Sequence, residues 1–468
     1  MTDSAVAETC RLTVRAPSAT IDLAVPADVP VADLLPTLLR YVGEEAEEAG
    51  LDHAGWVLQR LGDVPLDEET TLARAGLADG AVLHLRPHTE ALPEARLDDL
   101  VDGMAETVGR RLHTWHAGAA RGLLVGTAVA TVATALVMVF RPGVADSAAT
   151  RAACAAVAGV LLLAGAGSAS RAVGDRLSAT ALGLLVAPCF ALVGWVLPGG
   201  DLTGPDAAQV VGARLLAAGA AAAGGAVLAL AATAVGAPAL LATAVVAVAT
   251  AVSGALMGYT SLDAAASVAL VATVVVLAAG AVAPFAFKLA GMRMPALPSS
   301  AGQLQEGIDP YAGDEVAERT ELAGRWVTAL FAATGTIAAA ALAVLAHHPD
   351  LPETLTALAL TLLLLLHSRG LVHIGQRLTL AVPGVLGLLL LARAWAVDSD
   401  ADGRVIVFAV LLACAAALVT ASWIVPGRRV LPYWGRAAEL AHTGLAVALL
   451  PFALWVAGLF GWLRGLFG

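Results

Sequence analysis

The stretch GLADGAVLHLRP, residues 76–87, has the pattern of a tight turn followed by a strand. Asp79-Gly80 is a turn-forming pair because glycine accepts the positive φ angles that many turns need. After it, apolar and polar side chains alternate, with Leu83 and Leu85 on one face of the predicted strand. This alternation is typical of a strand with one buried face. We therefore expect Leu83 and Leu85 to lie in the core of a small soluble domain.

The residues before this strand predict the rest of that domain. Alternation and helical spacing predict strands at 10–16, 21–26 and 56–61 and a helix over 29–50 that stops at Gly50. The segment between the last two strands is expected to be a loop with one short helical turn. We expect residues 1–9 to be disordered and residues 10–88, called the head below, to form an α+β domain.

Most of the remaining chain is predicted to span a membrane. Of the 468 residues, 59% are hydrophobic and 14% are charged, whereas about a quarter of the residues of a soluble globular protein are charged. One spanning helix needs about 20 apolar residues. After a linker at 89–119, an all-α polytopic domain of eleven helices is expected over 120–460. The predicted spans are 120–140, 150–168, 178–197, 211–233, 237–257, 262–285, 324–346, 351–367, 374–396, 404–424 and 439–460.

The distribution of charge predicts the orientation of the chain. The first 110 residues hold 21 Asp and Glu against 8 Arg, so the net charge of −11 belongs entirely to this part. Nucleic acid would repel such a head and is not an expected partner. No signal peptide is recognisable, and loops on the head side carry eleven Arg and Lys against six on the other side. The positive-inside rule then predicts a cytoplasmic head and an external C-terminal segment, 461–468.

Two acidic or polar segments on the predicted cytoplasmic side are candidate protein interfaces. The predicted helix of the head ends in Glu44, Glu45, Glu47 and Glu48. The loop at 286–323 is much longer than the other loops, and long loops are usually functional or disordered. Its candidate residues are Asp309, Tyr311, Glu315 and Arg319, the last two at i, i+4 spacing in DEVAERTELAGR, residues 314–325, which we expect to be helical. The alternatives are a solvated helix end for the four glutamates and a solvated linker for the loop.

The sequence contains few residues that could perform chemistry. The four cysteines are scattered, without the spacing of a metal site, and no nucleotide-binding or hydrolase motif is present. Ionisable residues stay near the ends of the predicted spans. Any one of His347, His348, His367, His373 and His442 could serve as a proton relay, although a packing role is commoner. We expect no cofactor, no metal and no enzymatic activity, and we expect the Ala- and Gly-rich spans to pack closely.

The head resembles ubiquitin and its relatives, which share the β-grasp fold. The resemblance rests on the order of strands and helices and on the ending L-x-x-x-G-L-x-D-G-x-x-L-x-L, residues 72–85. A head of this kind followed by eleven spans is similar to EccD, the multispanning membrane component of the type VII (ESX) secretion system of actinobacteria. That resemblance covers the whole chain, from RLTVRAP and VLHLRP through the long loop and the spans, and rests on architecture.

The EccD resemblance implies a function and a set of partners. It implies a homodimer in the cytoplasmic membrane that scaffolds the secretion complex together with other membrane components. The head and the long loop would dock the FtsK-like ATPase component, and the spans of two copies would frame a vestibule filled with membrane lipid. The alternative is a secondary transporter with a regulatory ubiquitin-like domain, a class that usually has broken helices and polar groups at the membrane midplane.

Overall fold

The computed structural model divides the chain into two compact units, residues 1–116 and 117–468. Each unit has an apolar core of its own. The structure describes residues 9–17, 19–43, 55–61, 63–77, 79–88, 91, 117–139, 141, 147–260, 262–292, 313–347, 350–424 and 432–467.

The head is a four-stranded mixed sheet with one helix packed on it. Its elements are β1 (Thr9–Arg15), β2 (Thr20–Pro26), α1 (Val31–Val42), β3 (Trp56–Gln59) and β4 (Ala81–Pro87). The strand order is β2-β1-β4-β3. β1 and β4 pair in parallel at the centre, and the two outer pairs are antiparallel. The predicted ubiquitin-like fold is confirmed.

The quoted stretch forms the centre of this unit. Leu83 and Leu85 are fully buried and pack in one cluster with Val14 of β1 and with leucines of α1. At the turn, Gly80 has a φ of 83° and donates its N–H to the carbonyl of Arg11 at 2.8 Å. Asp79 Oδ1 accepts the N–H of Arg11 at 2.8 Å. The turn therefore leads into β4 and also fixes its register against β1.

The head departs from the sequence prediction in its helix. The predicted helix does not continue unbroken to Gly50, because Gly43 has a φ of 126°, far from the helical region. Residues 44–54 lie outside the described residues. Between β3 and β4, the described residues 63–77 form successive turns, and the bond from the Ala75 N–H to the Thr71 carbonyl at 2.9 Å agrees with the short helical turn predicted there.

The second unit, called the membrane unit below, has eleven spans among the residues described. Nine are the single helices α2 (Ala117–Val139), α4 (Arg176–Val196), α5 (Ala207–Thr233), α6 (Ala237–Tyr259), α9 (Gly313–Leu345), α10 (Leu351–Ser368), α11 (Ile374–Asp398), α12 (Ala401–Ile424) and α13 (Pro432–Val456). The second span is α3 (Ala148–Ser168), which continues as a π-helical turn over Ala169–Val173. The sixth span is α7 (Ala264–Ala278) and α8 (Val282–Leu289), joined by a 3-10 turn, and α14 (Leu459–Phe467) follows the last span. The predicted number of spans is confirmed.

The long uncharged stretch from 215 to 262 divides between α5 and α6. Ala234 and Gly236 adopt left-handed conformations with φ of 54° and 67°, which a continuous right-handed helix does not accept. Pro238 then occupies the first turn of α6, where its missing N–H costs no hydrogen bond. By contrast, Pro188, Pro383 and Pro451 lie inside helices that continue past them.

The spans pack through two kinds of contact. α4, α5 and α6 approach through glycine and alanine, so that a Cβ added at Gly219 of α5 would lie 2.4 Å from the backbone nitrogen of Ala251 in α6. A larger apolar cluster joins α7, α9, α10, α11 and α13 and includes Phe331, Leu360 and Leu449. α2 contains no buried residue and α12 contains one, Val407.

Helix α9 begins at Gly313, whereas the sequence prediction started this span at 324 and assigned 286–323 to a loop. The helix expected over 314–325 is present, and it continues without a break into the span. Two i, i+4 ion pairs lie along it, Glu315 with Arg319 and Glu321 with Arg325. Such pairs each add a few tenths of a kcal/mol to helix stability, and they explain why the polar sequence before the apolar run stays helical.

Candidate interaction surfaces

Only part of the predicted protein interface falls within the described residues. Glu44, Glu45, Glu47 and Glu48 lie outside them, as do Asp309 and Tyr311. Glu315 and Arg319 are both described and form an ion pair on the exposed face of α9.

Arg319 also connects the two ends of the long loop. Its Nη1 donates a hydrogen bond to the carbonyl of Gly291 at 2.7 Å, across 28 positions of sequence. Gly291 follows the end of α8, and Arg319 lies in the second turn of α9. The guanidinium therefore holds the departure and return points of the loop together. The sequence predicted the contact with Glu315 through the i, i+4 spacing, but it gave no sign of the contact with Gly291.

The solvent-facing side of the head sheet is basic, which the sequence analysis missed. Alternation along β1 and β4 places Arg11, Arg15, His84 and Arg86 on the face opposite the core. Arg15 and His84 are cross-strand partners. The alternation that predicted the buried face could have predicted this one too. The net charge of the head does not show this face, because it sums the charges over all surfaces. The head is therefore acidic in total but not on every surface.

Charged residues at the ends of the spans form ion pairs and hydrogen bonds that hold neighbouring helices together. Arg121 of α2 pairs with Asp175 at 2.6 Å, just before α4 begins. This guanidinium, with added hydrogen bonds from Ser178, holds the pKa of the Asp175 carboxyl well below its usual range. Arg171 donates to the carbonyls of Ala231 and Ala232 at the end of α5, at 3.0 and 2.9 Å.

A groove of about 1530 Å³ lies between the N-terminal ends of α4, α6, α9 and α11. Its mouth carries Arg176, Glu321, Arg325 and His373, and its walls are mostly Ala, Thr and Gly. The threonines in the walls, such as Thr243 and Thr328, donate their hydroxyls to carbonyls of their own helices at 3.0 and 2.8 Å. They therefore present methyl groups to the groove. The arrangement is polar at the mouth and apolar inside.

Two histidines that the sequence treated separately meet in the structure. His367 Nδ1 of α10 lies 3.3 Å from His442 Nε2 of α13. The His367 ring also makes an edge contact with Phe331 of α9, with ring centroids 5.4 Å apart. The pair thus links three helices of the large apolar cluster. This geometry is a packing contact between spans.

Reactive or metal-binding clusters are not found in the described residues. No group of three or more His, Cys, Asp or Glu side chains there could hold a metal ion. Cys10 is buried in the head, and burial raises the pKa of its thiol, so it acts as a small core residue.

Two protein-family models match this chain, one for each unit. Residues 120–466 match the model of the EccD-like transmembrane domain. The chain belongs to the EccD family. The head, residues 9–85, matches a second model, that of YukD, a protein of the WXG100 protein secretion system. The EccD match covers the membrane unit almost completely, and the YukD match covers the β-grasp unit.

One curated relative carries the family name. The ESX-4 secretion system protein eccD4 of Mycobacterium tuberculosis (strain CDC 1551 / Oshkosh) is 38% identical over 95 residues. The match spans 20% of this chain and 20% of that protein. The chain therefore matches only about a fifth of the length of this EccD relative.

Two solved structures have the same fold as this EccD-family chain. One is described as protomer 1 of the ESX-3 core complex, with a TM-score of 0.55, 17% identity, and coverage of 97% of this chain and 99% of that chain. The other is from the MycP5-free ESX-5 inner membrane complex in state II, with a TM-score of 0.57, 20% identity, and coverage of 88% and 99%. At these identities, the likeness concerns the fold.

Proposed function

We propose that the chain is an integral membrane component of a type VII (ESX) secretion complex, and that it scaffolds the assembly in the cytoplasmic membrane. The observation that carries this proposal is the order of the two family matches, a YukD-like head followed by an EccD-like transmembrane domain in one chain. The eleven closely packed spans suit a scaffold. The fold shared with chains of ESX-3 and ESX-5 complexes supports association with other membrane components of that system.

The head and the segment between α8 and α9 are the proposed docking elements for the FtsK-like ATPase component. Arg319 supports this role for the segment, because its bond to Gly291 brings both ends together and presents the intervening residues from fixed points. Asp309 and Tyr311 belong to that intervening part. In the head, the proposed contact is the glutamate cluster Glu44, Glu45, Glu47 and Glu48, because charges at the rim of an interface steer association and set its salt dependence.

Co-purification of the ATPase component with the full-length chain tests the docking proposal. Deletion of 299–311 shortens the loop but leaves α9 intact from Gly313. In the head, reversal of Glu47 and Glu48 to Lys removes half of the acidic cluster. We expect each change to reduce the ATPase recovered, and we expect the wild-type interaction to weaken as ionic strength rises.

Matched variants separate docking from general charge effects. Glu68→Lys with Glu69→Lys reverses the same number of charges on exposed residues elsewhere in the head and should leave recovery unchanged. The purified chain should remain a dimer in every variant. Full recovery of the ATPase after both the deletion and the Glu47/Glu48 reversal would place docking elsewhere, and the basic sheet face around Arg15 would be the next surface to change.

A further inference from the structure

The groove between the N-terminal ends of α4, α6, α9 and α11 has the form of a lipid site within a single chain. From Arg325 at the mouth to Thr336 deep in the wall, α9 advances 11 residues, or about 16 Å at 1.5 Å per residue. One leaflet is about half of a hydrocarbon core of roughly 30 Å. The apolar part of the groove is therefore about as deep as one layer of acyl chains.

The groove is also open at its side. Thr336 lines it and is exposed, although it lies in the middle of a spanning helix. Its hydroxyl donates to the carbonyl of Ala332 at 2.8 Å, so the exposed wall at this depth is effectively apolar. An acyl chain could enter from the surrounding bilayer without crossing a polar barrier.

The mouth favours a negatively charged group. The guanidinium of Arg176 makes no hydrogen bond or ion pair with any residue that the structure describes, and only its backbone carbonyl is engaged, by the hydroxyl of Thr180. Arg325 pairs with Glu321 at 2.6 Å through one nitrogen, which leaves other N–H donors of its guanidinium for a second acceptor. His373 lies at the same end. Two guanidinium groups facing one opening suit a phosphate, which arginine binds in bidentate geometry.

We propose that this groove binds an anionic phospholipid, with its phosphate between Arg176 and Arg325 and an acyl chain along α6 and α9. The charge at the mouth argues against a protein helix as the occupant. Under the positive-inside rule, a spanning helix tends to carry Arg or Lys at its cytoplasmic end, and these charges would face the two arginines.

Lipid retention by the full-length chain tests the proposal. The protein is reconstituted in vesicles of equimolar phosphatidylglycerol and phosphatidylcholine and extracted in mild detergent, and the lipids that remain bound are counted by native mass spectrometry. We expect wild type to retain phosphatidylglycerol about tenfold over phosphatidylcholine, the ratio that one charge-assisted contact of about 1.4 kcal/mol provides. The double variant Arg176→Gln, Arg325→Gln should lose this preference.

Two controls test the position of the lipid. Arg369→Gln removes one charge at the same end of the spans but outside the groove, and it should retain the preference. Ala332→Trp fills the groove and should release both lipids, and Ala239→Phe does the same from α6 if the tryptophan variant does not fold. Equal loss in Arg369→Gln, or undiminished retention in a folded filling variant, would overturn the proposal.

Two further experiments distinguish a phospholipid from other occupants of the groove. Excess glycerol phosphate should not displace the bound lipid, because the acyl chain contributes most of the contact. Complete displacement would mean that the mouth binds free phosphate groups and that the groove holds no chain. A photo-reactive side chain at Thr336, activated in native membranes, should gain the mass of a phospholipid. A protein adduct there would mean that a neighbouring helix fills the groove, and it would refute the lipid assignment.

Discussion

Adjacent residues of β4 face the core and the solvent in turn, so the same substitution should unfold the head at one position and be tolerated at the next. Leu83 is 0% exposed and Val82 is 39% exposed. Leu83→Asp places an unpaired carboxylate in the core, which costs several kcal/mol, a large fraction of the roughly 5–15 kcal/mol that stabilises a domain. We expect Leu83→Asp to unfold the head and Val82→Asp to leave it folded.

Limited proteolysis of the full-length chain in detergent measures this difference. Cleavage within 9–88 should become rapid in Leu83→Asp and should stay at the wild-type rate in Val82→Asp. Equal resistance of the two variants would mean that β4 does not present Leu83 to the core.

Asp175 should give the membrane unit a pH-dependent share of stability. Its pKa is lowered in the folded protein, first by Arg121 and then by Ser178. Folding is therefore favoured by ionisation of this carboxyl. The contribution is complete above the unfolded value of about 3.9 and is lost as pH falls through the lower folded value.

The comparison of wild type with Asp175→Asn isolates this contribution. The difference in melting temperature should be constant from pH 7 to about 5 and should shrink below about pH 4. Asp206→Asn serves as the control because Asp206 also precedes a helix, but its side chain makes no capping hydrogen bond. A similar pH dependence for both variants would contradict the assigned role of the Arg121 ion pair.

At the level of the helices, two glycines of α5 show whether glycine in these spans serves close packing or only reflects the Ala- and Gly-rich composition. A Cβ at Gly219 would lie 2.4 Å from Ala251 N and 2.5 Å from the Ala247 carbonyl oxygen, whereas nothing lies within 4 Å of a Cβ at Gly224. Gly219→Ala must push α5 and α6 apart, and overpacking of this kind costs about 1–3 kcal/mol. Gly224→Ala should be neutral or stabilising by up to about 1 kcal/mol, because alanine favours the helix.

Thermal unfolding of the two variants in the same detergent tests the packing of α5. Gly219→Ala should melt below wild type, and Gly224→Ala should melt at or above it. If Gly219→Ala were as stable as Gly224→Ala, the glycines of these spans would reflect composition bias and not close approach of helix backbones.

At the level of the whole molecule, the odd number of spans makes a definite prediction of topology. With the head in the cytoplasm, eleven spans place residues 290–312 on the same side and the C-terminus on the other. Reporter fusions at Ser300 and Gly468 should therefore give a cytoplasmic and an external signal, respectively. The same side for both fusions would remove one span from the count or add one.

The sequence determined those features that depend on neighbouring residues. Hydropathy fixed eleven spans, because each span satisfies its backbone hydrogen bonds internally and needs only a sufficiently long apolar run. Alternation fixed the strands of the head and the burial of Leu83 and Leu85. The spacing of Glu315 and Arg319 predicted their contact for the same local reason.

Only the tertiary structure decided which distant residues meet. The bond from Arg319 to Gly291 spans 28 positions, and the contact of His367 with His442 spans 75. The groove is lined by four helices that are not consecutive in the chain. In the membrane, many arrangements of apolar helices satisfy hydropathy equally well, so side-chain shape and close packing choose among them. Side-chain shape and close packing act between helices, so the spacing of residues within one helix does not predict which helices meet.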